Sequence, residues 1–432
     1  MNNQLKPITG CGVILLTLTL LLTGCFQDRN EEAETTLKIV SLYDRVTMDN
    51  LGLRAFAQEH EDLTIAFVDA GEEAASLSDK YGGLQALIEA EKPDVVIADS
   101  LSFGMLARQD LLSDLNPFIE RDDYPIEEMH PGIAEWVRQS GNGQITGLAP
   151  YFQSQAIIYN SALFREFGVP VPTDRMSWEE VLQTAVRFAP SASDNPDESV
   201  YGYYDGLSGD PLALADQIAA AAKLDYMNWE RREVTTDSEG WAEAYRSAIE
   251  AQRSGSIYSR GAGAAAPGEG LFESGRAAMM MGSYADVLAL QSEQPAIEWG
   301  MVTQPVDGRD RSAGNLVPEY LYAVYADAEY PEAAWELVSE LSSRETAVKY
   351  EAAAVQLPSW LPDDSSELDV FYQLTANPRP VTRFWEFPAD WPVKLQQIRS
   401  GYYRQALERQ LSIEEALQHT QTELEQLMQA AQ

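Results

Sequence analysis

The chain has 432 residues, a formal net charge of −38, three histidines and two cysteines. A field of that sign repels nucleic acid and anionic lipid and argues against both as partners; it also disfavours polyanionic ligands unless a local arginine cluster overrules it. No late apolar run approaches the roughly 20 residues of a membrane-spanning helix.

An apolar run from Val13 to Leu22 follows a short segment whose only basic side chain is Lys6. It is too short to cross about 30 Å of hydrocarbon but suits the core of a secretory signal. It closes on Leu22-Thr23-Gly24-Cys25, which resembles the lipobox of a bacterial lipoprotein signal. The alternative is an ordinary signal peptide cut elsewhere. The resemblance implies a signal peptide over 1–24, palmitate-type lipidation of Cys25 and a home on the extracytoplasmic face of the cell membrane. Each buried methylene contributes roughly 0.8 kcal/mol, and more than one acyl chain makes such an anchor stable. Cleavage removes Lys6 and no acid, leaving the acidic mature chain one unit more negative. Because Cys11 goes with the signal, the body has no intramolecular disulfide. Its size predicts two or three domains of about 150 residues instead.

Residues 25–36 form a polar, acidic tether. Leu37 to Leu42 alternates as a strand, a helical stretch runs through Leu53, Phe56 and Ala57, and Leu63 to Val68 is a second strand. Leu84 to Ala90 reads as helix and Pro93 to Ala98 as a short apolar strand, followed by a helical pattern from Phe103 to Ala107. Alternating strand and helix predict an α/β sheet covered on its faces. Ligands in such sheets bind beyond the carboxyl ends of strands, which marks Asp99-Ser100 and Tyr43-Asp44; polar residues there cap helices as often.

The stretches "EKPDVVIADS" from Glu91, "GLAPYFQSQAIIYN" from Gly147, "LFREFGVPVP" and "SWEEVLQTAVRFA" lead into "LFESGRAAMMMGSY" from Leu271 and "YPEAAWELVSEL" from Tyr330. With "GYYRQALERQLSIEEALQHTQTELEQL" from Gly401, their order resembles the extracellular solute-binding proteins of ABC importers, in the carbohydrate-type branch that includes maltodextrin-binding protein. The resemblance implies a two-lobe, periplasmic-binding-protein-like α/β fold with a ligand cleft at a multi-strand hinge. Crossings would fall near Pro150 to Gln153, Gln304 to Val306 and Ala353 to Pro358. Lobe one would hold 37–152 plus 306–352, and lobe two 153–305 plus 353–432. The implied function is a monomeric, lipid-anchored binding protein that closes over a small oligosaccharide or related sugar and delivers it to ABC permease subunits. A sensor of the same fold docking on a membrane receptor is the alternative, and a surface glycoside-active enzyme a more distant one.

Sugars present C–H patches, covered by aromatic rings, and hydroxyl rims, bonded by carboxylates, amides and arginines. Tyr284, after Gly282-Ser283, and Trp385, in Arg383-Phe384-Trp385, stand where the family places cleft aromatics. Tyr151 and Gln153 lie at the crossing, with Gln153 where relatives carry a ligand-binding acid. Tyr204, Asp205 and Asn315 lie in loops within reach of a site, and Arg379 and Arg383 leave a carboxylated sugar open. Trp178 reads as helix-start packing.

No G-x-S-x-G elbow, H-E-x-x-H or Walker loop is present, and His60, His130 and His419 read as surface residues. Gly261 to Ala266 fits a relaxed dinucleotide fingerprint but lacks the flanking strand and helix, and reads as a loop. The sequence gives no support for an enzyme, a cofactor or a metal.

Overall fold

Short apolar segments between polar turns build two sheets and a connector. The structure is a computed structural model that describes residues 35–73, 77–188, 199–205, 210–259, 270–293, 297–362, 366–377, 382–388 and 390–430. Residues 1–34 with Cys25, residues 261–266 and Arg379, on which expectations above fall, lie outside the described residues. In the first sheet Thr35–Ser41 lies between Leu63–Asp69 and Val95–Ala98, all parallel, and Leu321–Val324 adds antiparallel to Val95–Ala98. Val95–Ala98 is buried along its whole length, as a parallel strand covered on both faces must be. Buried Asp94 leads into it, accepting from the backbone N–H groups of Lys38 and Tyr330 at 2.9 Å each. Those donors offset the cost of taking a carboxylate out of water.

The second sheet runs Trp299–Thr303, Gln155–Asn160, Met279–Ser283, Tyr203–Asp205, Ile257–Ser259, with Gln155–Asn160 antiparallel to both neighbours. Gly282 allows its strand to close up, because a Cβ there would overlap the Ile158 side chain. Helices Trp178–Val186, Ala213–Ala221 and Glu239–Arg253 contribute their apolar residues to this core, and Trp178 is buried in it behind a Ser177–Glu180 capping box. The C-terminal helices Trp391–Leu407 and Ile413–Ala430 pack onto the same lobe. Buried Arg399 lies 4.8 Å from the Tyr226 ring and 5.3 Å from that of Trp241, and pairs with Asp216.

Between the sheets, Val317–Glu319, Tyr151–Gln153 and Leu357–Pro358 pair antiparallel as a hinge sheet. Only Ser154 separates the central hinge strand from Gln155–Asn160, so the chain passes from one lobe to the other within that span. Tyr320 and Val355 flank the outer strands in the left-handed region, at φ 51° and 52°. That conformation is uncommon for any side chain and costly for bulky or β-branched ones.

Three local expectations change. Thr35 and Thr36, assigned above to the tether, open the first strand. The return expected at Gln304 to Val306 is made by Val317–Glu319, because the loop between stays tied to the second lobe. Val306 N–H donates to the Met176 carbonyl at 2.9 Å, Lys223 pairs with Asp310 at 2.8 Å and Arg311 with Glu180 at 2.8 Å. Of the histidines, His419 is exposed and His60 half-buried against Phe56, whereas His130 is only 2 % exposed.

His130 caps the helix Pro131–Ser140, its Nδ1 accepting from Gly132 N–H at 3.1 Å, so the proton sits on Nε2 and faces the Tyr372 carbonyl at 3.1 Å. Its ring packs 5.6 Å from that of Phe152 on the hinge strand. Burial holds its pKa below the ordinary 6.5, so below that pH the unfolded chain binds the proton better. Its contribution is therefore complete above pH 6.5 and lost as pH falls through the folded value. Urea unfolding at pH 7.5 and 5.5 should show a smaller loss of stability on acidification in His130→Asn, which keeps a good cap, than in the parent. An equal loss in both would show that His130 does not carry this term.

Candidate ligand-binding cleft

The cleft floor forms where the first-sheet strands end against the hinge. Two residues beyond Thr35–Ser41, Tyr43 is fixed by Ser41, whose Oγ accepts from its N–H at 3.0 Å and donates to its carbonyl at 2.8 Å. The Tyr43 hydroxyl donates to one oxygen of Glu319 at 3.1 Å, and the other oxygen accepts from the Gln153 side-chain amide at 3.0 Å. Glu319 pairs with Tyr151 across the hinge sheet and so shares a face with Tyr151 and Gln153. The Tyr320 ring lies 4.5 Å from that of Tyr43 and meets Tyr151 edge-on at 6.0 Å. Tyr151 is buried, and its hydroxyl has no hydrogen-bond partner among the described residues.

Among the described residues, the charges that act on the phenols of this corner are negative. Burial pushes the Tyr43 phenol far above its usual range, reinforced by the charges of Glu319 and Asp99. Burial also raises Tyr151, with Glu351 adding to it, and Tyr320, with Glu319 and Asp44 adding. These phenols are held in their protonated, hydrogen-bonding form at neutral pH.

The other predicted residues divide by position. Asp99 caps the helix Ser100–Arg108, accepting from Ser102 N–H at 2.8 Å while its charge acts on Tyr43. Ser100 Oγ donates to the Pro318 carbonyl at 2.5 Å and ties that helix to the hinge. Asp44 is an exposed helix cap, accepting from Thr47 N–H and Oγ1 at 3.0 and 2.7 Å. Tyr284 begins a helix directly after Met279–Ser283 and is buried in a hydrogen bond to Glu351, linking the second sheet to the same corner. Asn315 is held through its backbone by the Gln304 side chain at 2.9 and 3.1 Å. It shares a crevice of about 340 Å³ with Gln153, Gln155, Ser283, Val317 and Trp136.

Tyr204 and Asp205 belong to the second sheet, where Tyr204 pairs with Met280 and contacts Tyr258. Arg383 pairs with Glu386, which also takes Arg232 at 2.7 Å. Its turn, Phe384–Glu386, packs through Phe384 against Trp229; the side chain of Trp385 lies outside the described residues. Sequence reasoning missed Glu319, Tyr320, Glu351 and Trp136. The one available signal was Pro318-Glu319-Tyr320, a polar break inside an otherwise apolar strand pattern.

Among the described residues no helix is long and apolar enough to cross a membrane, and no group of three or more His, Cys, Asp or Glu is placed to hold a metal ion. Two lobes, a strand hinge and a polar, aromatic-lined cleft define a solute-binding protein of the periplasmic type. Residues 42–348 match the family of bacterial extracellular solute-binding proteins, and the chain belongs to that family.

The sugar-binding protein MalE from Xanthomonas citri is similar in structure, with a TM-score of 0.71 at 16% identity over 92% of this chain and 98% of that one. The cyclic alpha-maltosyl-1,6-maltose binding protein from Arthrobacter globiformis gives 0.66 at 18% identity, over 92% and 99%. An ABC substrate-binding protein from Listeria monocytogenes in complex with cycloalternan gives 0.64 at 19%, also over 92% and 99%. No curated protein matches the sequence significantly.

A buried hydroxyl without a partner costs about 1–3 kcal/mol. Tyr151→Phe should therefore unfold at the same or a higher denaturant midpoint than the parent. A loss above about 1 kcal/mol would mean that the hydroxyl is satisfied in the folded protein.

Proposed function

We propose that the chain is a lipid-anchored, extracytoplasmic binding protein of an ABC importer that takes a small oligosaccharide or related sugar between its lobes and delivers it to a permease. It acts as a monomer and catalyses no reaction. Cys25 carries the anchor, and 25–34 supplies the leash. Lobe one comprises 35–152 with the segment from the hinge strand Val317–Glu319 to 352, and lobe two the rest of the folded chain.

The observation that carries the sugar reading is the Tyr43–Glu319–Gln153 network beneath Tyr320. It offers ring surface for C–H patches beside a carboxylate and an amide for hydroxyls. Tyr284, Asn315 and Ser283 would meet the solute from the second-lobe side, and Asp44, Asp99, Ser100, Tyr151, Tyr204, Asp205, Arg383 and Trp385 complete the candidate set. Family membership supports a binding role, and the sugars named for the structural neighbours support the ligand class.

Thermal unfolding against a panel of mono- and oligosaccharides tests the reading. A ligand at a hundred times its dissociation constant stabilises by about 2.7 kcal/mol, a visible shift of the midpoint. Gln153→Ala should weaken binding of the active sugar about tenfold, the loss of one hydrogen bond near a charged group. If no saccharide moves the midpoint, the sugar reading fails. Separately, Cys25→Ser should move the protein from the membrane fraction to the soluble one; retention would refute the anchor.

A further inference from the structure

The cleft floor is built for a solute with a particular charge. Tyr43, Tyr320 and Tyr151 form a corner of rings, with centroids 4.5 and 6.0 Å apart along the row. Glu319 borders it with a carboxylate already oriented by the Tyr43 hydroxyl and the Gln153 amide. Among the described residues, the charged side chains that act on these rings are carboxylates: Glu319 and Asp99 on Tyr43, Glu351 on Tyr151, Glu319 and Asp44 on Tyr320. The arginine next in sequence, Arg45, is bound to Asp49 at 2.7 Å and lies over Phe67. Arg383, the described candidate for a sugar carboxylate, is engaged by Glu386.

Two further observations point to an occupant. The Tyr151 hydroxyl is buried on the hinge face without a partner among the described residues. Tyr320 holds its ring over Tyr43 from a left-handed backbone, a conformation glycine would adopt without steric strain. A costly backbone at a turn where glycine would serve indicates that the ring itself is used.

We propose that this corner receives a protonated amine, so that the solute is an amine-bearing sugar rather than a neutral or carboxylated one. The proposal rests on the sugar reading above and narrows it. An ammonium is drawn to ring faces, offers three donors to carboxylate and hydroxyl oxygens, and gains from the attraction of the acidic surface during approach. A uronate would meet like charge at each of these points.

Calorimetric titration of the purified full-length chain with glucosamine, glucose, N-acetylglucosamine and glucuronate, each as monosaccharide and as β-1,4-linked disaccharide, tests it. The amine should bind at least tenfold tighter than the neutral sugars, and the uronate weakest. Raising the pH until the sugar amine is neutral should erase the advantage, and Glu319→Gln should shrink it several-fold. The parent protein alone decides the outcome, so a misfolded variant leaves the test intact. Neutral sugars binding as tightly as the amine, or the uronate binding best, would overturn the amine assignment and leave the sugar reading standing. Binding of none of them would overturn both.

Discussion

Backbone pairing across the three hinge strands is the constraint on which the rest of the molecule depends. Each strand is two or three residues long, yet together they bring the ends of the first-sheet strands and the start of the second sheet to one place. Because side chains alternate along such short strands, one face carries Tyr151, Gln153, Val317 and Glu319, and the other carries Phe152 and Pro318. The first face becomes polar and ring-lined. The second packs on His130 and Tyr372 and anchors the hinge to the helix Pro131–Ser140.

Much of this was legible in the sequence where the chain must bury itself on two sides. Val95–Ala98 reads as an apolar run because helices cover both its faces, and Gln153 is marked by Pro150 and the apolar strand that follows it. Glu319 and Tyr320 went unread, because Pro318-Glu319-Tyr320 is only a brief polar break in the apolar pattern from Leu316 to Val324. The break at Tyr320 is made by a left-handed tyrosine, with no glycine to announce it. His130 was misread because its polar neighbours describe the surface, whereas its ring is drawn inward to cap a helix and meet Phe152. Trp136 lies on an amphipathic helix, and sequence alone does not separate a crevice-lining ring from a core ring.

The handling of positive charge follows from the acidic composition. With carboxylates in such excess, buried arginine is spent on structure. Arg399 holds the helix Trp391–Leu407 to its lobe through Asp216 and two rings; the more exposed Arg383 and Arg232 share Glu386. A buried charge persists only when it is paired and stacked in this way. Among the described residues the cleft corner presents carboxylates, phenols and the Gln153 amide, in contrast to the lobe interior.

The phenols of the floor have one more consequence. A protein of an extracellular family meets whatever acidity its surroundings impose, with no cytoplasmic buffering. An exposed tyrosine gives up its proton in strongly alkaline water, near pH 10; burial and neighbouring negative charge raise that threshold for Tyr43, Tyr151 and Tyr320. The bond from Tyr43 to Glu319, and with it the shape of this corner, is thus held against alkaline surroundings.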